Sequence, residues 1–408
     1  MKHFQTSFFS LLLCFCFLFS NSFYAYAAST TPPPPSNVSE TGDISLELTA
    51  ASAVLMEATT GTVLYEKNAT QSLPPASITK IMTLLLIFDA LESGQIHLED
   101  QVTVSEYAAS MGGSQVFLEP GETQTVDTMM KCIAVSSAND ACVAMSEFIC
   151  GNEETFVAKM NERAKGLHMT STHFVNCNGL DTDNHVTSAL DVALMSRELI
   201  SKYPEVSNYS TIWMDTIIHS TKKGDSEFGL ANTNKFLKMY EYATGLKTGS
   251  TSNAKFCVSA TAMKDEIPLI AVIMGAPDSK VRFQEAVTLL NYGYEKCKLY
   301  SDENTDTLSP VPVTFGVENS VSCKYQSSFQ YLDTSGADLN NIEKEIIMKE
   351  VHQAPITKGD IAGKAIYKLN GKEIGNVPIL YSASIKKMQF SDCFKKIFQQ
   401  YKLGKSKT

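Results

Sequence analysis

The chain has 408 residues, a formal charge of −10 at pH 7, 44% hydrophobic and 19% charged residues. These values exclude a largely disordered chain and a broad nucleic-acid-binding surface, and the length suits two domains. The charge is uneven, because residues 386–408 carry seven lysines against one aspartate.

Residues 1–27 read as an export signal. Lys2 and His3 precede an apolar run from Phe8 to Phe19, and Ala25-Tyr26-Ala27 offers a cleavage site before Ala28. Residues 28–45, with Pro32 to Pro35 in a row, read as an extended linker. Ser52 to Glu57 and Thr62 to Glu66 flank Thr59-Thr60-Gly61, which predicts a β-hairpin. Pro74 and Pro75 stop the chain before a helix that starts around Ser77, with Ile81, Leu84, Leu85, Phe88 and Leu91 on its apolar face. Residues 126–200 are mainly helical in pattern: Asp127 is placed to cap one helix, and others cover Asp140 to Cys150, Phe156 to Gly166 and Ser188 to Tyr203. Three apolar runs, Leu246 to Ser250, Phe256 to Met263 and Leu269 to Gly275, then predict strands, followed by a helix from Phe283 to Glu295.

The expected fold class is therefore α+β, an antiparallel sheet flanked by helices with a helical subdomain, over residues 46–300. Residues 301–384 alternate short β-like runs with turns and predict a small β-rich domain. In residues 385–408, Phe390, Phe394, Ile397, Phe398 and Tyr401 fall on one side at helical pitch, with Lys395, Lys396 and Lys402 outside it. A basic amphipathic helix of this kind suits an anionic membrane surface. Eight cysteines lie beyond the export signal without a C-x-x-C pattern, and most read as small buried hydrophobes. The seven histidines show no metal-binding spacing, so no metal and no cofactor are expected.

Three strings carry chemistry: Ser77-Ile78-Thr79-Lys80, Ser137-Ala138-Asn139 and Lys247-Thr248-Gly249. S-x-x-K recurs at Ser220, Ser252 and Ser384, but S-x-N and K-T-G each occur once, and only Ser77 precedes both. Ser77 and Lys80 share a helical face, which brings an amine to the hydroxyl of a serine that needs a base. A lysine of ordinary pKa is neutral only about 0.04% of the time at pH 7. Bringing that pKa toward 7 costs about 4–5 kcal/mol, which burial and a second cation can supply. Lys247 is that cation, expected to stay charged and to bind a carboxylate with Thr248. Ser137 can relay a proton between Lys80 and a leaving nitrogen. Asn139 can hold a substrate amide or Lys80. Gly249 leaves room for substrate backbone, and the Ser250 N–H can join that of Ser77 as an oxyanion hole.

The ordered triple resembles the low-molecular-mass penicillin-binding proteins, the serine-type D-Ala-D-Ala carboxypeptidases. Pro75-Ala76 before Ser77, Ser136 and Asp140-Ala141 around the second motif, and Thr244-Gly245-Leu246 before Lys247 resemble the family too. So do Phe174-Val175-Asn176, Asn178-Gly179-Leu180 and the stretch His185 to Asp191. The resemblance implies a transpeptidase-like catalytic domain and a β-rich domain. It also implies attack by Ser77 on peptidoglycan stem peptides ending in D-Ala-D-Ala, and durable acylation by β-lactams. Arg282 falls where the family often has an arginine near the substrate carboxylate. A class A-like β-lactamase shares the motifs, but no E-x-x-L-N string follows Asn139. A silent peptidoglycan-binding or β-lactam-sensing module is the other alternative. The expected location is the outer face of the cytoplasmic membrane.

Overall fold

The structure is a computed structural model that describes residues 46–222 and 224–395. The expected export signal, the 28–45 linker and the tail from 396 onward lie outside the described residues. Among the described residues, no helix is long and apolar enough to cross a membrane.

Strands β1 (Ser52–Glu57) and β2 (Val63–Lys67) form the expected hairpin. A 3₁₀ turn at Ala76–Thr79 runs into α1 (Lys80–Glu92), so the regular helix starts at the lysine and not at Ser77. The expected single apolar face understates α1. Every residue from Lys80 to Phe88 is buried, because the helix runs through the middle of the core. Short strands β3 (Gln101–Thr103) and β4 (Thr123–Thr125) pair with each other.

Next come α2 (Val126–Val135), α3 (Asn139–Cys150), α4 (Glu153–Gly166) and α5 (Ala189–Lys202). The cap of α2 is Thr125, whose hydroxyl accepts from Thr128 N–H. Asp127 sits in the first turn and pairs with Lys131 at 2.9 Å. A hydroxyl at the N-cap satisfies an orphan amide, and a carboxylate in the first turn complements the dipole, so each residue does the task its position allows. The hairpin of β5 (Met214–Thr221) and β6 (Gly224–Ala231) has no counterpart in the sequence reading. Then follow β7 (Ala243–Thr251), β8 (Lys255–Lys264), β9 (Ile267–Ala276) and α6 (Val281–Lys296).

One five-stranded antiparallel sheet has the order β2-β1-β9-β8-β7. Its side chains alternate between two cores. Val54, Met56, Ile270 and Val272 face the helical block, while Ala53, Leu55, Leu269 and Ala271 face α6. Gly293 of α6 permits the close approach: a Cβ there would stand 2.6 Å from Leu269 Cδ1. This construction leaves β7 as an edge strand, and the Ala76–Thr79 turn packs against it.

A third core is built from residues 311–385 alone, around a sheet of Cys323–Tyr325, Lys372–Tyr381, Ile361–Leu369 and Ile342–Met348. This is the β-rich region. Lys298–Asp302 already pairs with Phe329–Asp333, so a strand straddles the boundary expected at residue 300. All eight cysteines in the described residues are free thiols, and six are buried.

Candidate active site

The three motifs meet. Lys80 Nζ lies 3.2 Å from Ser77 Oγ, 2.6 Å from Asn139 Oδ1 and 2.6 Å from the Asn178 carbonyl oxygen. Lys247 Nζ lies 2.9 Å from Ser137 Oγ and 3.1 Å from the Thr248 carbonyl oxygen. Each lysine thus takes a partner from the S-x-N motif. Asn139 holds Lys80, one of the two roles expected of it, while Ser137 is bonded to Lys247 and departs from the expected place beside Lys80.

The partners of Lys80 fit a neutral amine. Two of them are carbonyl oxygens, which only accept, so they occupy two N–H bonds. A neutral amine has two. Its lone pair then faces the hydroxyl of Ser77, the arrangement a general base requires. Burial favours the same state. Lys80 is fully buried, and desolvation lowers its pKa. Lys247 departs from expectation. Burial first, then the charge of Lys80, push it well below the ordinary lysine range. Among the described residues no ion pair reaches either lysine. Two buried ammonium ions without a direct ion-pair partner repel, and the free site disfavours holding both protons, although Asp140 partly offsets this at Lys80.

Local backbone places these groups. Ser137 has φ of 61° and Ala76 has φ of 49°, left-handed conformations uncommon for non-glycine residues. Such strain persists only where the surroundings over-determine it. At Ala76 they do. A Cβ on Gly179, whose φ is +90°, would fall 1.9 Å from the Ala76 carbonyl oxygen, so only glycine fits behind the nucleophile turn. Gly249 has a related task. Its missing Cβ would stand 2.9 Å from Ser77 N, so it admits the chain's own turn against β7, where the sequence suggested substrate backbone. Thr248 Oγ1 is held by Thr233 Oγ1 at 2.8 Å. Ser250 is exposed near the end of the edge strand. Arg282 is buried on the first turn of α6, and its Nη1 reaches the carbonyl oxygens of Gly249 (3.1 Å) and Cys257 (3.3 Å). Burial lowers its pKa. Of the other S-x-x-K serines, 220 and 384 are exposed and 252 is exposed in the turn after β7.

Sequence reasoning missed four supports. Asn178 supplies a carbonyl to Lys80. The Gly112 carbonyl oxygen accepts from Asn139 Nδ2 at 2.7 Å and fixes the orientation of that amide. Asp140 takes the N–H groups of Val116 and Leu118, and so holds the loop that carries Gly112. The fourth support is His185. Val175 N–H donates to its Nδ1 at 2.9 Å, so Nε2 carries the proton and donates to Thr79 Oγ1 at 2.8 Å. That hydroxyl donates to the Ala76 carbonyl oxygen at 2.9 Å. The strings Asn178-Gly179-Leu180 and His185 to Asp191 were the available signals.

Burial, then the neighbouring His173, lowers the pKa of His185 to about 4. An unfolded histidine titrates near 6.5, so the unfolded chain takes the proton first as pH falls. The neutral imidazole's contribution is complete above about pH 6.5 and is lost by about pH 4, a change of about 3 kcal/mol. The urea midpoint of the wild type is expected to fall more steeply than that of His185→Gln across this window. Parallel curves would show that His185 is not buried neutral.

The chain resembles known proteins over most of its length. Residues 37–278 match the D-alanyl-D-alanine carboxypeptidase family, and residues 294–387 match the C-terminal domain of penicillin-binding protein 5. D-alanyl-D-alanine carboxypeptidase DacF of Bacillus subtilis (strain 168) is 43% identical over 344 residues, covering 84% of this chain and 87% of that protein. DacC of Escherichia coli (strain K12) is 32% identical over 83% of this chain and 84% of its own length. Penicillin-binding protein 5 from Haemophilus influenzae superposes with a TM-score of 0.66 at 30% identity, covering 85% of this chain and 100% of that one. The chain belongs to the D-alanyl-D-alanine carboxypeptidase family of serine hydrolases.

Proposed function

We propose that this D-alanyl-D-alanine carboxypeptidase removes the terminal D-Ala of peptidoglycan pentapeptide stems through an acyl-enzyme on Ser77. The observation that carries the assignment is the pair of acceptor-only contacts on Lys80, which leaves its lone pair for the Ser77 hydroxyl. Ser77 Oγ attacks the carbonyl between the two D-alanines while its proton passes to Lys80. The N–H groups of Ser77 and Ser250 receive the negative oxygen. The C–N bond then breaks, and the leaving nitrogen takes a proton from Ser137, which Lys247 resupplies across their 2.9 Å contact. D-Ala departs, and water then attacks the ester, giving its proton through Ser137 back to Lys247 while Lys80 returns the first proton to the leaving Ser77 Oγ.

The terminal carboxylate of the substrate sits against Lys247 and Thr248 in this reading. Its charge draws a proton onto Lys247 and relieves the cost of a buried ammonium without a counter-ion. Arg282 is a positioning residue here: it braces β7 through the Gly249 carbonyl and adds positive field behind the carboxylate site. β-Lactams are mimics that stop at the acyl-enzyme. The catalytic domain runs from residue 46 to just before the Lys298–Asp302 strand, and the β-rich domain from that strand to residue 384. Residues 1–27 direct export, and residues 385–408 hold the enzyme to the outer face of the membrane.

Release of D-Ala from diacetyl-Lys-D-Ala-D-Ala tests the assignment. Release is expected from the wild type and is expected to vanish in Ser77→Ala. Undiminished release by Ser77→Ala would remove Ser77 from the chemistry, and rapid turnover of penicillin without D-Ala release would instead mark a β-lactamase.

A further inference from the structure

The β-rich region exposes one large aromatic side chain that its fold does nothing to hide. Phe315 is 65% exposed and has a left-handed backbone, φ of 56°. Among the described residues its ring makes no aromatic pair and no cation–π contact. The loop that carries it is held on both sides. Thr314 N–H donates to the His352 carbonyl oxygen, and the Thr314 carbonyl oxygen accepts from Ala354 N–H at 2.9 Å. On the other side Val317 N–H donates to the Lys386 carbonyl oxygen at 3.0 Å, and Met388 N–H donates to the Phe315 carbonyl oxygen at 2.8 Å. Gly316 packs too tightly for a side chain, since a Cβ there would meet Ile385 Cγ2 at 2.8 Å. An aromatic ring fixed outward on a left-handed backbone leaves apolar surface in water that no ring contact among the described residues covers.

The loop's neighbours identify what would cover it. It is stitched to residues 385–388, where the basic amphipathic segment leaves the fold. Phe390 and Phe394 there are 87% and 65% exposed. Val351, next to His352, is 63% exposed. Lys386, Lys387 and Lys395 flank these apolar groups, and the sequence beyond adds Lys396, Lys402, Lys405 and Lys407. Exposed aromatics ringed by lysines match an interface of buried acyl chain and anionic headgroup. Glu318, Glu350 and Asp392 lie close by in the chain, and they are outnumbered by the lysines.

We propose that the 314–317 loop is a second membrane-inserting element, with Phe315 entering an anionic lipid surface beside the C-terminal segment. The inference rests on the reading of residues 385–408 as a membrane anchor. Two contacts held in fixed relation define an orientation, which one amphipathic helix alone does not.

Co-sedimentation of the full chain with phosphatidylglycerol–phosphatidylcholine vesicles tests it, with acylation by penicillin as the check on folding. Phe315→Ser is expected to weaken binding about five- to tenfold while acylation stays unchanged. A Phe315→Trp substitution, made together with Trp213→Phe so that it supplies the chain's single tryptophan, is expected to give emission that shifts to the blue on adding vesicles. Wild-type binding by Phe315→Ser, or unshifted emission from the Phe315→Trp variant, would overturn the proposal. The anchor reading would survive that result if Phe394→Ser with Phe398→Ser still abolished binding. Wild-type binding by that tail variant as well would defeat both readings.

Discussion

Replacing Lys80 by methionine is expected to lower the rate of Ser77 acylation by penicillin at least about 10³-fold without unfolding the protein. Methionine fills the same buried channel without branching, so the packing around α1 persists. Two stability effects oppose each other. Removing a buried amine that has no counter-ion is favourable, because the native state disfavours its charge. Losing its bonds strands the Asn139 and Asn178 carbonyl oxygens, at about 1–3 kcal/mol each. The melting temperature is therefore expected to move by only a few degrees, and the loss of rate reads as loss of a base. An acylation rate within tenfold of wild type would mean that another group deprotonates Ser77.

Lys247→Gln is the second large effect, and its test lies in substrate dependence. A buried charge pair broken from one side costs about 2–5 kcal/mol, so kcat/KM on a peptide ending in a free carboxylate is expected to fall about 10²-fold or more. On the same peptide ended as an amide the loss is expected to be smaller, because only the proton supply to Ser137 is then removed and no charge pair is broken. Equal losses on both peptides would remove Lys247 from carboxylate binding and leave it only the proton supply to Ser137.

The legible part of this chain was local chemistry. S-x-x-K, S-x-N and K-T-G read correctly as one set because each string has its reacting groups within four residues. The strands β7 to β9 and helices α3 to α6 were readable from apolar runs and periodicity. Pairing across motifs was legible only in part. Asn139 on Lys80 was one of two expected contacts, whereas the bond of Ser137 to Lys247 spans 110 residues, a distance at which spacing carries no information. The same limit hid the role of Gly179, which depends on Ala76 lying behind it. The signal for α1 was present but under-read: no charged residue occurs in 81–88, which marks a helix buried all round. The β5–β6 hairpin escaped for the opposite reason. It is mostly exposed and polar, and is tied down by contacts such as His219 to Glu122 at 2.8 Å.

The proposed chemistry turns on Ser77 forming the acyl-enzyme with Lys80 as its base. A peptide map of the intact protein after brief exposure to benzylpenicillin decides this. One added penicillin mass per chain is expected, confined to the peptide that contains Ser77, with no adduct in Lys80→Met over the same time. An adduct on any other residue, including the exposed serines at 220, 252 and 384, would overturn the assignment.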